Sequence, residues 1–238
     1  MAAGCGAGEG GQAEADGRVT VLGASSLSEA LTEIAGRFEA AHPGTAVELS
    51  FGASTSLVRQ VVDGAPADVL ATADEASMQP AVTSGDVRDA VPFARNRLAV
   101  VVSAGNPLGI RSLADLARPE VVLVTCAPEV PCGALATKAL RSAGVRATPR
   151  SLEENAKSVL AKVVLGEADA GLVYATDLKA GGAKVQGFLV ASEPLLETTA
   201  MIGTIESSPN LSTARAFASF ARGPEGRGVI DRLGFGPP

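Results

Sequence analysis

Apolar positions along this chain switch repeatedly between two periods, and the switches mark out its elements. Val19–Leu22 is a short continuous apolar run, as expected of a strand covered on both faces. Leu27, Ala30, Leu31, Ile34, Ala35 and Phe38 then recur at helical spacing until Pro43-Gly44 breaks the pattern. Val47, Leu49 and Phe51 alternate as a strand. Leu57, Val58, Val61 and Val62 predict a helix stopped by Gly64, Asp68–Thr72 a strand, and Glu75–Thr83 a further helix. Leu98–Val102 is again continuously apolar and ends at Gly105-Asn106-Pro107.

The second half continues the theme. Ser112–Leu116 predicts a helical turn, Val121–Cys126 a strand, and Gly133–Ala143 a helix ending at Gly144. Asn155–Leu165 places Ala156, Val159, Leu160, Val163 and Val164 on one helical face. Gly171–Tyr174, Val185–Val190 and Thr199–Ile205 predict strands, and helices over Thr213–Ala221 and Gly226–Leu233 close the chain. Regular alternation of strand and helix implies an α/β protein with mostly parallel sheets flanked by helices. In such sheets ligands sit at the C-terminal strand edges, beside helix N-termini.

Hydroxyl residues cluster where two of these helices must begin: Ser25 and Ser26 before the first, and Ser54, Thr55 and Ser56 before the second. A helix start carries unpaired N–H groups and a partial positive charge, so it attracts anions. Two such starts facing one cleft would bind an anion without any cationic side chain. The same residues also have plainer readings. Ser26 with Glu29 has capping-box spacing, and Ser54 can serve as a simple cap.

Composition narrows the function. The chain has 238 residues, 3% aromatics and no Trp. Its mean hydropathy is +0.24, enough for a large core in one domain or two lobes. A net charge of −6 and the lack of any Lys/Arg cluster argue against nucleic-acid binding. Residues 1–17 are rich in Gly, Ala and Glu with no apolar period, and they are set outside the fold. Ala2-Ala3-Gly4-Cys5 matches the end of a bacterial lipobox, with Met1 in place of a removed signal peptide. On that reading Cys5 carries lipid and residues 6–17 form a flexible tether; the alternative is a plain low-complexity tail. No run is long and apolar enough for a transmembrane helix.

Cys126 and Cys132, in CAPEVPC, have the spacing of a small disulfide loop stiffened by Pro128 and Pro131. Two buried thiols or a metal pair are the alternatives, although a metal would lack partners because the sole His, His42, is distant in sequence. His42 precedes Pro43 at a predicted helix end and reads as a C-terminal cap. Asp68 and Asp74 read as capping and turn residues rather than a catalytic pair. Arg59, Arg95 and Lys157 read as structural or solvated ions.

Six segments together resemble the molybdate-binding proteins of bacterial ABC importers: ASSLSEAL (Ala24–Leu31), FGASTSLVRQ (Phe51–Gln60), GAPADVLATAD (Gly64–Asp74), PEVPCG (Pro128–Gly133), EENAKSVL (Glu153–Leu160) and GLVYATD (Gly171–Asp177). Each is weak alone; their order and spacing over Val19–Phe235 are specific. The resemblance implies the two-lobed periplasmic binding-protein fold. Residues 19–96 plus 202–238 would form one lobe and residues 97–201 the other, with a hinge near Asn96 and Met201. It implies no cofactor and no catalysis. Molybdate or tungstate would be held by neutral donors: hydroxyl and amide of Ser26 and Ser54, the N–H groups of Cys132 and Ala156, and the Tyr174 hydroxyl. Cys132 departs from the Ala usual there, but only its N–H would be used. The implied protein is an extracytoplasmic, lipid-anchored monomer that delivers the ion to an ABC permease. Rival readings are the same fold with another oxyanion such as sulfate, an enzyme of the same architecture, or a receptor that meets no permease. Tyr174 taken alone is a core or rim residue; the GLVYATD match makes it a ligand.

Such a donor set has a clear chemical logic. Molybdate is a dianion at neutral pH and only accepts hydrogen bonds, so a pocket of pure donors suits it. A protonated oxyanion such as hydrogen phosphate also needs an acceptor, and each unsatisfied polar group costs roughly 1–3 kcal/mol. Sulfate is a pure acceptor too, so discrimination against it must come from cavity size.

Overall fold

The computed structural model describes residues 17–191 and 196–238; Cys5 and the expected tether up to Asp16 lie outside these. Two mixed sheets share one long strand. In the first, β2 (Thr45–Gly52), β1 (Gly17–Ala24), β3 (Val69–Thr72) and β9 (Glu197–Ile205) lie side by side, followed by the first part of β4 (Val87–Ser103). In the second, the end of β4 pairs with β7 (Ala170–Tyr174) on one side and β8 (Val185–Leu189) on the other. From β7 the sheet continues to β5 (Leu123–Cys126) and β6 (Ser151–Glu153). The strand–helix alternation gives the parallel pairs β1–β2, β1–β3, β5–β6 and β5–β7. All pairings of β4 and β9 are antiparallel, so the sheets are mixed rather than mostly parallel.

Helices cover both faces of the first sheet, which is why β3 is buried at every position. Val69 and Ala71 face a core shared with α1 (Ser28–Ala41), α7 (Leu211–Arg222) and α8 (Pro224–Leu233). Leu70 faces the opposite core, with Leu57, Val58 and Val61 of α2 (Ser54–Val62) and Met78 and Ala81 of α3 (Glu75–Ser84). The predicted apolar stripe of α1 is entirely buried. It ends at His42, whose N–H bonds the Phe38 carbonyl at 2.9 Å while its ring stacks on Phe38, so the capping role is observed. The second sheet packs against α4 (Pro131–Ser142), α5 (Ala156–Val164) and α6 (Ala175–Gly181).

Several expectations are corrected. β1 begins at Gly17, so the strand takes in the end of the residues set aside as tail. The pattern shows only Leu98–Val102 of β4, because Arg88, Asp89, Pro92, Arg95 and Arg97 and two register irregularities disguise the pairing of Val87–Arg97 with β9. The short β6 and α6 also escape the pattern. On β4 the pairing changes from the first sheet to the second at Arg97/Leu98. The return is not at Met201: Glu197–Ala200 already pair with residues 94–97 in the first sheet, so it precedes Glu197. At the first crossing the Asn96 side-chain amide donates to Thr176 Oγ1 of α6 at 2.8 Å, in a buried bond. The Ser26–Glu29 capping box does not form; residues 25–27 make a 3-10 turn without side-chain cap bonds, and Glu29 reaches Lys157 instead. Asp68 is no cap. It is buried, accepts the Thr20 N–H at 2.7 Å and the Ser208 hydroxyl, and so ties the loop before α7 to β1.

Candidate oxyanion site

Four helix starts and one 3-10 turn meet between the two sheets. They line a narrow cavity of about 20 Å³, whose walls include Ser26, Ser54, Cys132, Ala156 and Tyr174 together. All five are buried, from 1% exposed at Tyr174 to 7% at Ser26. No Lys, Arg or His lines it; its one carboxylate residue, Glu154, is exposed. Two larger open grooves run alongside, with Arg59, Glu129 and Lys138 on their walls.

The local sequence explains each donor. Ser54 is the first residue of α2, and its hydroxyl accepts the Ala73 N–H at 2.9 Å. With a lone pair so engaged, its proton is left to donate into the cavity. In α4 the first position is Pro131, which has no N–H, so the first unpaired donor of that helix belongs to Cys132. Neither α2 nor α4 has a side-chain cap bond, although both starts are buried. A buried helix end without a partner is anomalous in isolation, and an anion resolves it. In α5 the Asn155 cap accepts from the Ser158 N–H at 3.0 Å, and Ala156, the first residue of the helix, brings to the cavity an N–H that has no partner within the helix.

Gly133 and the cysteines hold the α4 start in place. A Cβ on Gly133 would lie 1.9 Å from the Ala127 carbonyl oxygen, so only glycine lets this turn approach the end of β5. Cys126, the last residue of β5, is joined to Cys132 by a disulfide, with Cα atoms 5.7 Å apart. Of the three readings open for these cysteines, the structure takes the disulfide.

Tyr174 is the last residue of β7 and the N-cap of α6. Its hydroxyl is buried with no hydrogen-bond partner among the described residues. Burial first, then the Asp74 and Asp177 carboxylates, push the phenol well above its ordinary value, so it remains a protonated donor. Beneath it Asp177 is 1% exposed and accepts the Tyr174 N–H at 3.1 Å. Burial raises that carboxyl from 3.8 to about 7, against the pull of Lys157.

The other candidates lie elsewhere. Arg59 is exposed beside Asp63 at 3.7 Å, and Arg95 pairs with Glu197 at 3.6 Å. Asp74 caps α3 by accepting the Ser77 N–H at 2.9 Å. No cluster of three or more His, Cys, Asp or Glu side chains suited to a metal cation occurs among the described residues, and no described helix is long and apolar enough to cross a membrane. Sequence reasoning missed Asn155 and Asp177, whose capping roles were legible only as spacing to Ser158 and Tyr174, and the link from Lys157 to Glu29, 128 residues away, which left no local signal.

A donor-lined cavity between two strand-sharing sheets is a solute-binding arrangement, and comparison with known families agrees: residues 19–236 match the model described as bacterial extracellular solute-binding protein. The chain belongs to that family. This solute-binding protein is 36% identical over 221 residues to the molybdate-binding protein ModA of Mycobacterium tuberculosis, covering 92% of this chain and 85% of that one. Its fold is similar to that of the Azotobacter vinelandii periplasmic molybdate-binding protein, with a TM-score of 0.80 and 23% identity over 92% and 99% of the two chains. The sulfate-binding protein SubI of M. tuberculosis gives 0.82 and 22% over 92% and 86%.

Proposed function

We propose that this protein is the molybdate and tungstate receptor of an ABC importer. The observation that carries the reading is the convergence of Ser26, Ser54, Cys132, Ala156 and Tyr174 on one cavity that no cationic side chain lines. Five neutral donors would surround a dianion that can only accept, and the low dielectric of a closed site strengthens each bond. The ModA relative supports the choice of ion.

In this reading the protein is a binder with no covalent chemistry, and relatives that are themselves binding proteins support that. The lobes divide at Arg97/Leu98 on β4 and between β8 and β9. Closure would rotate one lobe onto an ion held by the other. Cys5 would carry the lipid that keeps a monomeric receptor at the outer face of the membrane, beside its permease.

Sulfate is the second reading, favoured by the fold similarity to SubI. Isothermal titration of the ion-stripped protein with molybdate, tungstate, sulfate and phosphate decides. One-to-one binding of the first two with the others silent is expected. Sulfate binding in their place would replace the ligand, and silence for all four would sink the receptor reading.

A further inference from the structure

Lys157 follows the cavity residue Ala156 in α5 but does not itself line the cavity. It bonds the carboxylate of Glu29 in α1, across the boundary between the two sheets. It also lies 3.9 Å from Asp177 Oδ1, the oxygen of that buried carboxyl that has no hydrogen-bond partner among the described residues. Glu29 stands three positions after Ser26, and Asp177 holds the Tyr174 N–H. One ammonium therefore links the segments that present Ser26, Ala156 and Tyr174. The Lys157 side chain is 26% exposed and that of Glu29 48%, so solvent and salt screen the pair and its contribution is that of a modest surface ion pair.

We propose that Lys157 is a positioning residue for oxyanion binding: its pair with Glu29 is a clasp that fastens the lobes closed, anchored from behind by Asp177. The ligand it serves rests on the receptor reading above; the clasp itself does not. Opening would part Glu29 from Lys157, so the pair favours the closed arrangement before any ion arrives. The ion then has less of the closing equilibrium to shift on its own.

Charge sign gives the clasp a signature. A lysine and a glutamate acting on a dianion only through their fields would have opposite effects when neutralised: Lys157→Met would weaken binding and Glu29→Gln would tighten it. As halves of a clasp, both weaken it, through faster release.

The test titrates molybdate into the full chain carrying Lys157→Met, Glu29→Gln, both together, or Lys162→Met, whose pairing with Glu153 at 2.7 Å stays within one lobe. Glu29→Gln should raise Kd by roughly three- to fivefold, and Lys157→Met by at least as much. The double variant should be no worse than Lys157→Met alone, and Lys162→Met should match the parent. Small-angle X-ray scattering on the ion-stripped proteins should show a larger radius of gyration for the clasp variants only. Glu29→Gln that binds as tightly as the parent or tighter, with an unchanged radius, overturns the proposal. A parent that ignores molybdate defeats the receptor reading alone, and the scattering comparison then decides the clasp, with equal radii overturning it.

Discussion

Tyr174 and Ser54 present hydroxyls to the same cavity on different terms. The Tyr174 hydroxyl has no protein partner among the described residues, so Tyr174→Phe removes a buried orphan and, on the proposed reading, a donor to the ion in one step. The expected result is weaker molybdate binding by roughly 1–3 kcal/mol, with ion-free thermal stability equal to or above the parent's. A matching loss of stability in calorimetry would make Tyr174 a structural residue. Ser54→Ala should weaken binding by a similar roughly 1–3 kcal/mol, but it also strands the buried Ala73 N–H, so unfolding in denaturant should register a cost of its own, about 1 kcal/mol or more. That bond was invisible in the sequence, where Ser54 reads as a cap. Ser26 and Ser54 were legible as hydroxyls at helix starts. That they turn from capping to facing a cavity depends on where the neighbouring strands lie, which one-dimensional spacing does not encode.

Among the elements, α4 depends most on its connection to β5. Pro131 removes one N–H, Gly133 permits the close approach and the disulfide fixes the turn, so the Cys132 donor is set by covalent and steric constraint together. Replacing both cysteines by alanine should lower stability by about 2 kcal/mol, the loop-entropy figure for so short a ring. It should also raise the molybdate Kd, because an unfastened donor must be ordered at binding. Unchanged affinity in the double variant would leave the bridge a stability role only. Elements with a clean apolar period, such as α1 and Leu98–Val102, could be read directly. The first part of β4 could not, because one edge of that stretch is a charged surface and Pro92 sits within it. α6 is too short for periodicity to register, and its start was visible only through the GLVYATD match.

For the molecule as a whole, the buried Asp177 couples stability to pH. Its folded value of about 7 lies above the ordinary 3.8, so the folded state holds the proton more tightly than the unfolded one. The stability this contributes is complete below about pH 4 and is lost as pH rises through about 7. Asp177→Asn keeps an oxygen for the Tyr174 N–H and removes the titration. The melting temperature of the variant minus that of the parent should therefore rise between pH 5 and pH 8, and a flat difference would show that Asp177 stays ionised throughout. The two-sheet plan was legible from the strand–helix alternation and the six matched segments. The antiparallel β4 and β9 that join the sheets were not, since pairing direction follows from connections over long range: β9 lies about a hundred residues after the start of β4.

Tyr174 is the one tyrosine in a chain without tryptophan. Intrinsic fluorescence excited at the red edge of protein absorption therefore originates wholly at the cavity wall, with no background from other indoles or phenols. The protein carries a single built-in lamp, placed at the proposed ion site. Binding, release and the motion of the lobes can then be timed by stopped flow on the unlabelled protein, with the dark Tyr174→Phe variant as its blank.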